Sequence, residues 1–125
     1  MKEAVEGPGV PRAKGAYSPG LRAGDFVFVA GQGPLDPATG KVVGEDIEAQ
    51  TRQTLRNVQA ILEAAGACLD DAVKVTVHLQ DIGEFQRFNQ VYATFFKDPR
   101  PTRTTVQSGL AGIRIEIDAI AYAPR

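Results

Sequence analysis

Hydrophobic and polar positions recur along this chain with two different periods, which predict its longest helix and its clearest strand. Over residues 47–65, the residues of one stripe lie three or four positions apart and charged residues fall mainly outside it. This spacing is typical of an amphipathic helix. Asp46 is a candidate N-cap for this helix, and Gly66 a candidate residue for its C-terminal end. Residues 72–81 alternate with a period of two, which predicts a strand with one buried face.

The remaining elements are predicted from composition and from turn residues. The polar segment 1–13 contains two prolines and is expected to be an irregular arm. Residues 25–30 are apolar and β-prone between glycine-containing segments, which predicts a buried strand. Residues 82–97 form a second predicted helix, ended by the prolines that follow it. A short strand is predicted at residues 17–21 and a turn at residues 35–40. Two C-terminal strands are predicted at residues 102–107 and 113–121.

The order of these elements predicts an α+β fold with a single sheet. Helices alternate with strands in the middle of the chain, and two strands close it, so both helices are expected to pack on one face of the sheet. Strand 25–30 supplies apolar residues to both faces, and a subunit partner is a natural way to cover the second face. A chain of 125 residues is expected to form one domain, spanning residues 1–125.

Composition and charge narrow the range of partners. The chain is 43% hydrophobic and 23% charged, with a formal net charge of -1, which gives no electrostatic reason to expect nucleic acid. Cys68 is the single cysteine and His78 the single histidine, so we expect neither a disulfide nor a metal site. We also expect no membrane-spanning segment and no export signal, and therefore a cytoplasmic protein in a reducing compartment.

The two C-terminal strands carry the residues with the most chemistry. If the glycine-containing segment 108–112 joins them as a hairpin, Arg103, Thr105, Glu116 and Asp118 share one face. A guanidinium group can then bind a carboxylate through two hydrogen bonds, and a glutamate can position and deprotonate a water molecule. The alternative from spacing alone is an inert cross-strand salt bridge on a solvated face.

These strands also resemble a known family signature. The run Pro-Thr-Arg-Thr-Thr-Val-Gln, followed by Ile-Glu-Ile-Asp-Ala-Ile-Ala, resembles the C-terminal signature of the Rid/YjgF family of small enamine/imine deaminases. Residues 15–20 (Gly-Ala-Tyr-Ser-Pro-Gly), residues 29–32 (Val-Ala-Gly-Gln) and the Ala-Ala-Gly end of the long helix fit the same family. The similarity runs from about residue 13 to residue 121, with the motifs in family order.

The resemblance implies a fold and an activity. It implies a chorismate-mutase-like fold and a homotrimer, with three sites at the clefts between subunits. The implied activity is hydrolysis of 2-aminoacrylate-type enamines and imines to 2-oxo acids and ammonia, a form of metabolite damage control. No metal and no organic cofactor is expected, because the tautomerised substrate is already electrophilic. The alternative function is a non-catalytic trimer that binds small carboxylates or regulates a partner.

The resemblance also assigns roles to individual residues. Arg103 matches the arginine that binds the substrate carboxylate, and Glu116 matches the glutamate that holds the attacking water. The other positions expected at the ligand pocket are Tyr17, Gly31, Asn89 and Thr105.

The residues themselves leave simpler interpretations open. Tyr17 is equally explained as a packing aromatic, Gly31 as the end of a strand, and Asn89 as a polar residue on the exposed side of the second helix. Asp118 is expected to be structural or to support the site from behind. Cys68 is expected to be a small structural residue.

Other positions depart from the family pattern. Thr105 stands where the family often has cysteine, and Ala30 and Pro19 stand where serine and glutamine are common. The turn before the last strand is also shorter by about two residues. These departures concern the choice of substrate more than the basic chemistry. His78 lies on the polar face of its predicted strand and is expected at solvent or at an interface.

Overall fold

The computed structural model describes residues 1–125 as one mixed six-stranded sheet and two α-helices. The strands and helices, in chain order, are β1 (Lys2–Ala4), β2 (Gly20–Ala23), β3 (Phe26–Gln32), α1 (Ile47–Ala64), β4 (Ala72–Leu79), α2 (Phe85–Phe95), β5 (Thr102–Gln107) and β6 (Ile115–Tyr122). Short 3₁₀ turns precede β4 and α2. This architecture confirms the predicted α+β fold with a single sheet.

The strands lie in the spatial order β1-β2-β3-β6-β4-β5. All neighbouring pairs are antiparallel except β4 and β5, which are parallel and are connected through α2. A parallel pair needs such a crossover, because a tight turn cannot return the chain to the same end of the sheet. α2 supplies this crossover, and β5 is the edge strand on one side of the sheet.

Both helices pack on one face of the sheet and enclose the core. On α1 the buried stripe includes Ile47, Leu55, Val58 and Leu62, each at most 1% exposed, which confirms the helical periodicity read from the sequence. The sheet contributes the alternate residues of β3, β4 and β6. Burial of these apolar side chains is the main favourable term in holding the helices on the sheet.

The ends of α1 match their sequence signals. The Asp46 side chain accepts a hydrogen bond of 2.8 Å from the Ala49 amide, as an N-cap does. Gly66 has φ +83°, and its amide and that of Ala67 donate to carbonyls of the last helical turn. A left-handed backbone at this position favours glycine, because it has no Cβ to clash.

The predicted hairpin of the two C-terminal strands is wrong. β4 lies between β5 and β6 and pairs with both, so β5 and β6 are not hydrogen-bonded neighbours. Arg103 lies opposite Val75 of β4, whereas Glu116 lies opposite His78 of the same strand. Residues 108–114 therefore pass over the end of β4 instead of closing a turn between adjacent strands.

Smaller differences concern the N-terminal region and the element ends. The expected irregular arm contains β1, which pairs with β2 at the sheet edge opposite β5, while residues 5–13 contain no helix or strand. The first predicted strand, residues 17–21, begins three residues late as β2. The second predicted helix is divided into the 3₁₀ turn Ile82–Glu84 and α2. Neither α-helix combines the length and the apolar character needed to cross a bilayer.

The face of the sheet away from the helices is partly apolar, as the two-sided pattern of the second predicted strand indicates. Phe26, Phe28 and Tyr122 are 41%, 42% and 48% exposed, and the Phe26 and Tyr122 rings pack together with centroids 5.3 Å apart. Val106, on β5, is 39% exposed. We refer to this surface as the outer face. Contiguous exposed aromatic residues of this kind are typical of a surface that another molecule covers.

Candidate functional site

Arg103 lies on a platform of aromatic rings supplied by α2. Its guanidinium carbon is 5.4 Å from the ring centroids of Phe85 and Phe88 and 4.6 Å from that of Tyr92. Its Nη1 donates a hydrogen bond of 2.7 Å to Asn89 Oδ1. The rings fix the plane of the guanidinium group by cation–π contact, and Asn89 occupies one of its five donors. The remaining donors are available for an anion.

Arg103 also lines a cleft at the C-terminal end of α2. The cleft has a volume of about 500 Å³. It is lined by six residues: Asn89, Tyr92, Ala93, Arg100, Pro101 and Arg103. We call it the arginine cleft. Because two of its lining residues are cationic and none is acidic, its chemistry favours a carboxylate or another small anion.

Thr105 shares the inward side of β5 with Arg103 and does not line the arginine cleft. It lies opposite the buried Val77 of β4, and its hydroxyl is buried without a hydrogen-bond partner. An unpartnered hydroxyl is costly, because it loses its hydrogen bonds to water without gaining new ones. Its expected role in substrate binding stays a prediction.

Glu116 and Gly31 are immediate neighbours on β6 and β3. A Cβ placed on Gly31 would lie 2.5 Å from Glu116 Oε1 and 2.9 Å from its Cδ. The absence of a side chain at Gly31 is therefore what lets the Glu116 carboxyl group occupy its position. This contact explains the glycine better than a strand end does, since β3 continues past it to Gln32.

Tyr17 lies near Gly31 but remains largely exposed. Its side chain is 51% exposed, and its hydroxyl accepts a hydrogen bond of 3.2 Å from the Lys14 amide. Together with Gly31 and Asn57, Tyr17 lines a small cavity of about 50 Å³. The ring is therefore free to contact a molecule placed beside Gly31, and the small cavity itself has room only for water-sized groups.

The expected site residues thus fall into two groups within one protomer. Arg103, Asn89 and Thr105 belong to the helix-covered side of the sheet, whereas Glu116 alternates with the fully buried Ile115 and Ile117 and so projects to the outer face. Neighbouring strands lie roughly 4.8 Å apart, so β5 and β3 are separated by roughly 14 Å across the sheet. One protomer does not bring the two groups together.

Two other residues singled out in the sequence have local partners. His78 is half-buried, and its Nδ1 lies 2.7 Å from Ser108 Oγ. Cys68 is exposed and free, and its amide and Sγ both donate to Asp71 Oδ2, at 2.9 Å and 3.4 Å. No group of three or more His, Cys, Asp or Glu side chains comes together in a way that would hold a metal ion.

Four residues that line the arginine cleft are not among the expected site residues, and two of these, Tyr92 and Arg100, carry polar groups. Tyr92 falls within the predicted second helix, residues 82–97, and Arg100 lies between the two prolines that end it. The recoverable signal was the spacing of Arg100 and Arg103, three residues apart at the start of a strand that follows a helix. Tyr92 could not be found this way, because a tyrosine in an apolar stripe is indistinguishable from ordinary core packing.

Comparison with known proteins identifies the family. Residues 9–123 match the family model described as Endoribonuclease L-PSP. A structure from Yersinia pestis, described as YyfA of the conserved Rid protein family, matches with a TM-score of 0.93 and 36% identity over 98% of this chain and 100% of that one. This chain belongs to the Rid/YjgF family. The expectation drawn from its motifs is confirmed.

Relatives within the Rid/YjgF family carry different names. The chain is 48% identical to a RutC family protein of Pyrococcus horikoshii over 98% of both chains. It is 40% identical to the 2-iminobutanoate/2-iminopropanoate deaminase of Salmonella typhimurium, over 97% of this chain and 98% of the relative. Escherichia coli TdcF, solved with bound serine, matches with a TM-score of 0.88 and 36% identity over 96% of this chain and 98% of that one. A deaminase-type role is therefore supported at the level of the family.

Proposed function

We propose that this Rid/YjgF protein hydrolyses reactive enamine and imine acids of the 2-aminoacrylate type. The enamine tautomerises to the imine, and water adds to the imine carbon. Cleavage of the C–N bond then releases ammonia and leaves a 2-oxo acid. No redox step is involved, so the reaction needs positioning and proton transfer instead of an electron carrier.

The observation that carries this proposal is the arrangement of Arg103. Its guanidinium group is held by three aromatic rings and by Asn89, and it borders an open cleft. Its other N–H groups remain free to donate to a ligand. Such a group is suited to binding the α-carboxylate that 2-aminoacrylate and its imine share. The 40% identity to a 2-iminobutanoate/2-iminopropanoate deaminase supports the same reaction class.

In this proposal, the complete site forms between two copies of the chain. Glu116, which would hold the attacking water, projects to the outer face, and Gly31 keeps its position clear. Arg103 would come from one subunit, and Glu116, Gly31 and Tyr17 from the next, in a homotrimer. Support comes from the exposed aromatic residues of the outer face, which association of this kind would cover.

The proposed activity is tested with 2-aminoacrylate made in situ by a PLP-dependent dehydratase acting on serine. We expect this protein to shorten the lifetime of 2-aminoacrylate in proportion to its concentration, and a trimeric mass by light scattering in the same buffer. A correctly folded trimer that leaves the decay rate unchanged would contradict the deaminase proposal. A monomer that is fully active would contradict the shared site.

Gly31→Ala tests the position of Glu116. The new Cβ would overlap the Glu116 carboxyl group, which sits at the end of a flexible side chain and so can move aside at little cost in stability. We expect kcat/KM to fall about 10- to 100-fold, because a displacement of about 1 Å in a positioned group has an effect of this size. The free energy of unfolding should change by less than about 1 kcal/mol.

Gly109→Ala is the matched control for this experiment. Gly109 does not require positive φ, and a Cβ there meets no atom within 4 Å. The same glycine-to-alanine change should therefore leave both activity and stability unaffected. If Gly31→Ala retains full activity, the position of Glu116 is not needed for the reaction.

A second candidate function is a carboxylate-binding protein without catalysis. One observation favours it: the arginine cleft is built by a single protomer and does not include Glu116. The family description mentions an endoribonuclease, but a formal net charge of -1 provides little attraction for a phosphate backbone. Binding of 2-oxobutanoate without any effect on 2-aminoacrylate decay would favour the binding protein over the enzyme.

A further inference from the structure

The arginine cleft is lined by two arginine side chains, although one is enough to bind a carboxylate. Arg103 alone can make two parallel hydrogen bonds to a carboxylate. Arg100 lines the same cleft, about 47% of its side chain is exposed, and its ion pair with Asp98 is long, at 3.3 Å, to a carboxylate that is 87% exposed. An exposed pair of this kind contributes little, so Arg100 remains available to a ligand.

The two guanidinium groups lie over successive turns of α2. Arg103 bonds to Asn89, and Arg100 Nη2 is 3.5 Å from the carbonyl oxygen of Ala93, four residues further along the helix. Residues four apart on a helix are separated by about 5–6 Å. The two cationic groups are thus separated by about the length of a short carbon chain, instead of converging on a single point.

Tyr92 provides a third polar group at this place. The residue is 3% exposed and lines the cleft, but its hydroxyl has no hydrogen-bond partner. Burial raises the pKa of Tyr92, while the charges of Arg103 and Arg100 act in the opposite direction. The net rise keeps the hydroxyl protonated at neutral pH, so it is a donor without an acceptor in a cleft that two cationic groups also line.

We propose that Arg100 and the Tyr92 hydroxyl form a second anion subsite beside Arg103, which selects substrates carrying a second carboxylate. Resting on the function proposed above, this inference names the preferred substrate class as imines of four- and five-carbon dicarboxylic amino acids. The α-carboxylate binds Arg103, and the distal carboxylate lies between Arg100 and Tyr92. Binding at this subsite satisfies the orphaned hydroxyl and leaves the Arg103–aromatic contacts in place.

The subsite is tested first by binding, separately from catalysis. By calorimetry, 2-oxoglutarate should bind at least about tenfold more tightly than 2-oxobutanoate. The two oxo acids share the α-carboxylate and the 2-oxo group, and only 2-oxoglutarate has the distal carboxylate. Arg100→Gln should reduce this preference to near unity, and Arg100→Lys should retain part of it, because the charge remains but the planar fork is lost. Arg52→Gln removes an exposed arginine on α1 and should leave the preference unchanged.

Tyr92→Phe distinguishes ligand binding from a structural role. The hydroxyl has no partner to lose, so its removal should not lower the free energy of unfolding, while the preference for 2-oxoglutarate should fall severalfold. Equal affinity of the wild-type protein for the two oxo acids would overturn the subsite. An Arg100→Gln variant that binds both oxo acids more weakly by the same factor would also overturn the subsite.

Catalysis gives an independent readout of the two proposals. Imines made from glutamate and from alanine by amino-acid oxidases are compared as substrates, and the glutamate imine should be hydrolysed with the higher kcat/KM. Preferential binding of 2-oxoglutarate without hydrolysis of either imine supports the subsite and contradicts the deaminase. Hydrolysis of both imines at equal efficiency, without a binding preference, supports the deaminase and contradicts the subsite.

Discussion

Replacing Arg103 with alanine should lower kcat/KM for 2-aminoacrylate hydrolysis by about 100-fold or more. Each hydrogen bond to a charged group contributes about 1.5–3 kcal/mol, and the guanidinium group offers two of them to the carboxylate. The loss should appear in decay assays of 2-aminoacrylate at matched protein concentration. Because the carboxylate is common to all substrates of this class, the defect should be similar for imines of different chain length.

The kcat/KM of Arg103→Lys should lie between those of the wild-type protein and Arg103→Ala, but closer to Arg103→Ala than the retained charge suggests. An ammonium group is a point charge and does not reproduce the planar fork that both stacks on aromatic rings and binds a carboxylate through two bonds. The platform of Phe85, Phe88 and Tyr92 therefore favours arginine in particular. The lysine variant separates the contribution of charge from that of geometry.

Arg87→Ala is the matched control for the Arg103 variants. Arg87 lies on α2, the helix that supplies the aromatic platform under Arg103, and makes an ion pair of 2.7 Å with Glu48. The Arg87 and Glu48 side chains are 53% and 31% exposed. An exposed pair contributes at most about 1 kcal/mol, so activity should be retained. If Arg103→Ala has wild-type activity and the same oligomeric mass, the substrate carboxylate binds elsewhere.

The sequence could predict α1 closely because its information is local. Periodicity, the Asp46 cap and the Gly66 terminator lie within or beside the helix, and the observed helix, Ile47–Ala64, ends one residue before the predicted end. Strand pairing is different, because it is decided by which surfaces must be buried together. The segment after β5 has the glycines of a hairpin turn, and this local signal favoured the wrong partner for that strand.

The β4-α2-β5 unit explains why the hairpin does not form. The apolar side of α2 must pack on the sheet, and a helix that connects two strands does so when these strands become parallel neighbours. The connection to β6 then crosses the end of β4, where the Ser108 amide donates to the Leu79 carbonyl and the Gln80 amide to the Arg114 carbonyl, each at 2.9 Å. Both ends of the connection are thus tied to the central strand.

This topology also decides how much of the candidate site could be foreseen. The residue types came from the motifs. Arg103 and Asn89, both expected at the ligand pocket, are joined by a hydrogen bond, and their role in binding a ligand stays a prediction. Their separation from Glu116 could not be foreseen, because inserting β4 moves Arg103 to the helix-covered side and leaves Glu116 on the outer face. A pattern of alternation fixes which residues of one strand share a side, but does not relate the sides of two strands that are not neighbours.

Arg22→Met should lower the free energy of unfolding by about 2–4 kcal/mol, because it removes the donors of a buried junction. Arg22 is 5% exposed, and its guanidinium group donates to the carbonyls of Ala65 and Ala123, both at 2.8 Å, and of Gly24, at 3.3 Å. These contacts join β2 to the C-terminal end of α1 and to the chain end beyond β6. Methionine keeps much of the apolar stem but leaves the three carbonyls without this partner.

Two effects oppose each other in this substitution, and their sizes decide its sign. Removing a buried charge relieves a desolvation penalty, which is large here because Arg22 has no carboxylate partner and its Nε is buried without a hydrogen bond. Against this, leaving the buried Ala123 carbonyl unsatisfied costs about 1–3 kcal/mol, and the part-buried carbonyls of Ala65 and Gly24 cost less each. Ala65 additionally loses the cation that favours a helix C-terminus. We expect the carbonyl losses to be larger, since three acceptors depend on the one side chain.

Urea unfolding at constant m-value measures the result directly. Arg56→Met, at an exposed position on α1, applies the same chemical change outside the junction and should alter stability by no more than about 0.5 kcal/mol. A stable Arg22→Met protein would mean that desolvation of the charge cancels its hydrogen bonds. Arg22 would then determine how the N-terminal strands, α1 and the chain end are aligned without stabilising the fold.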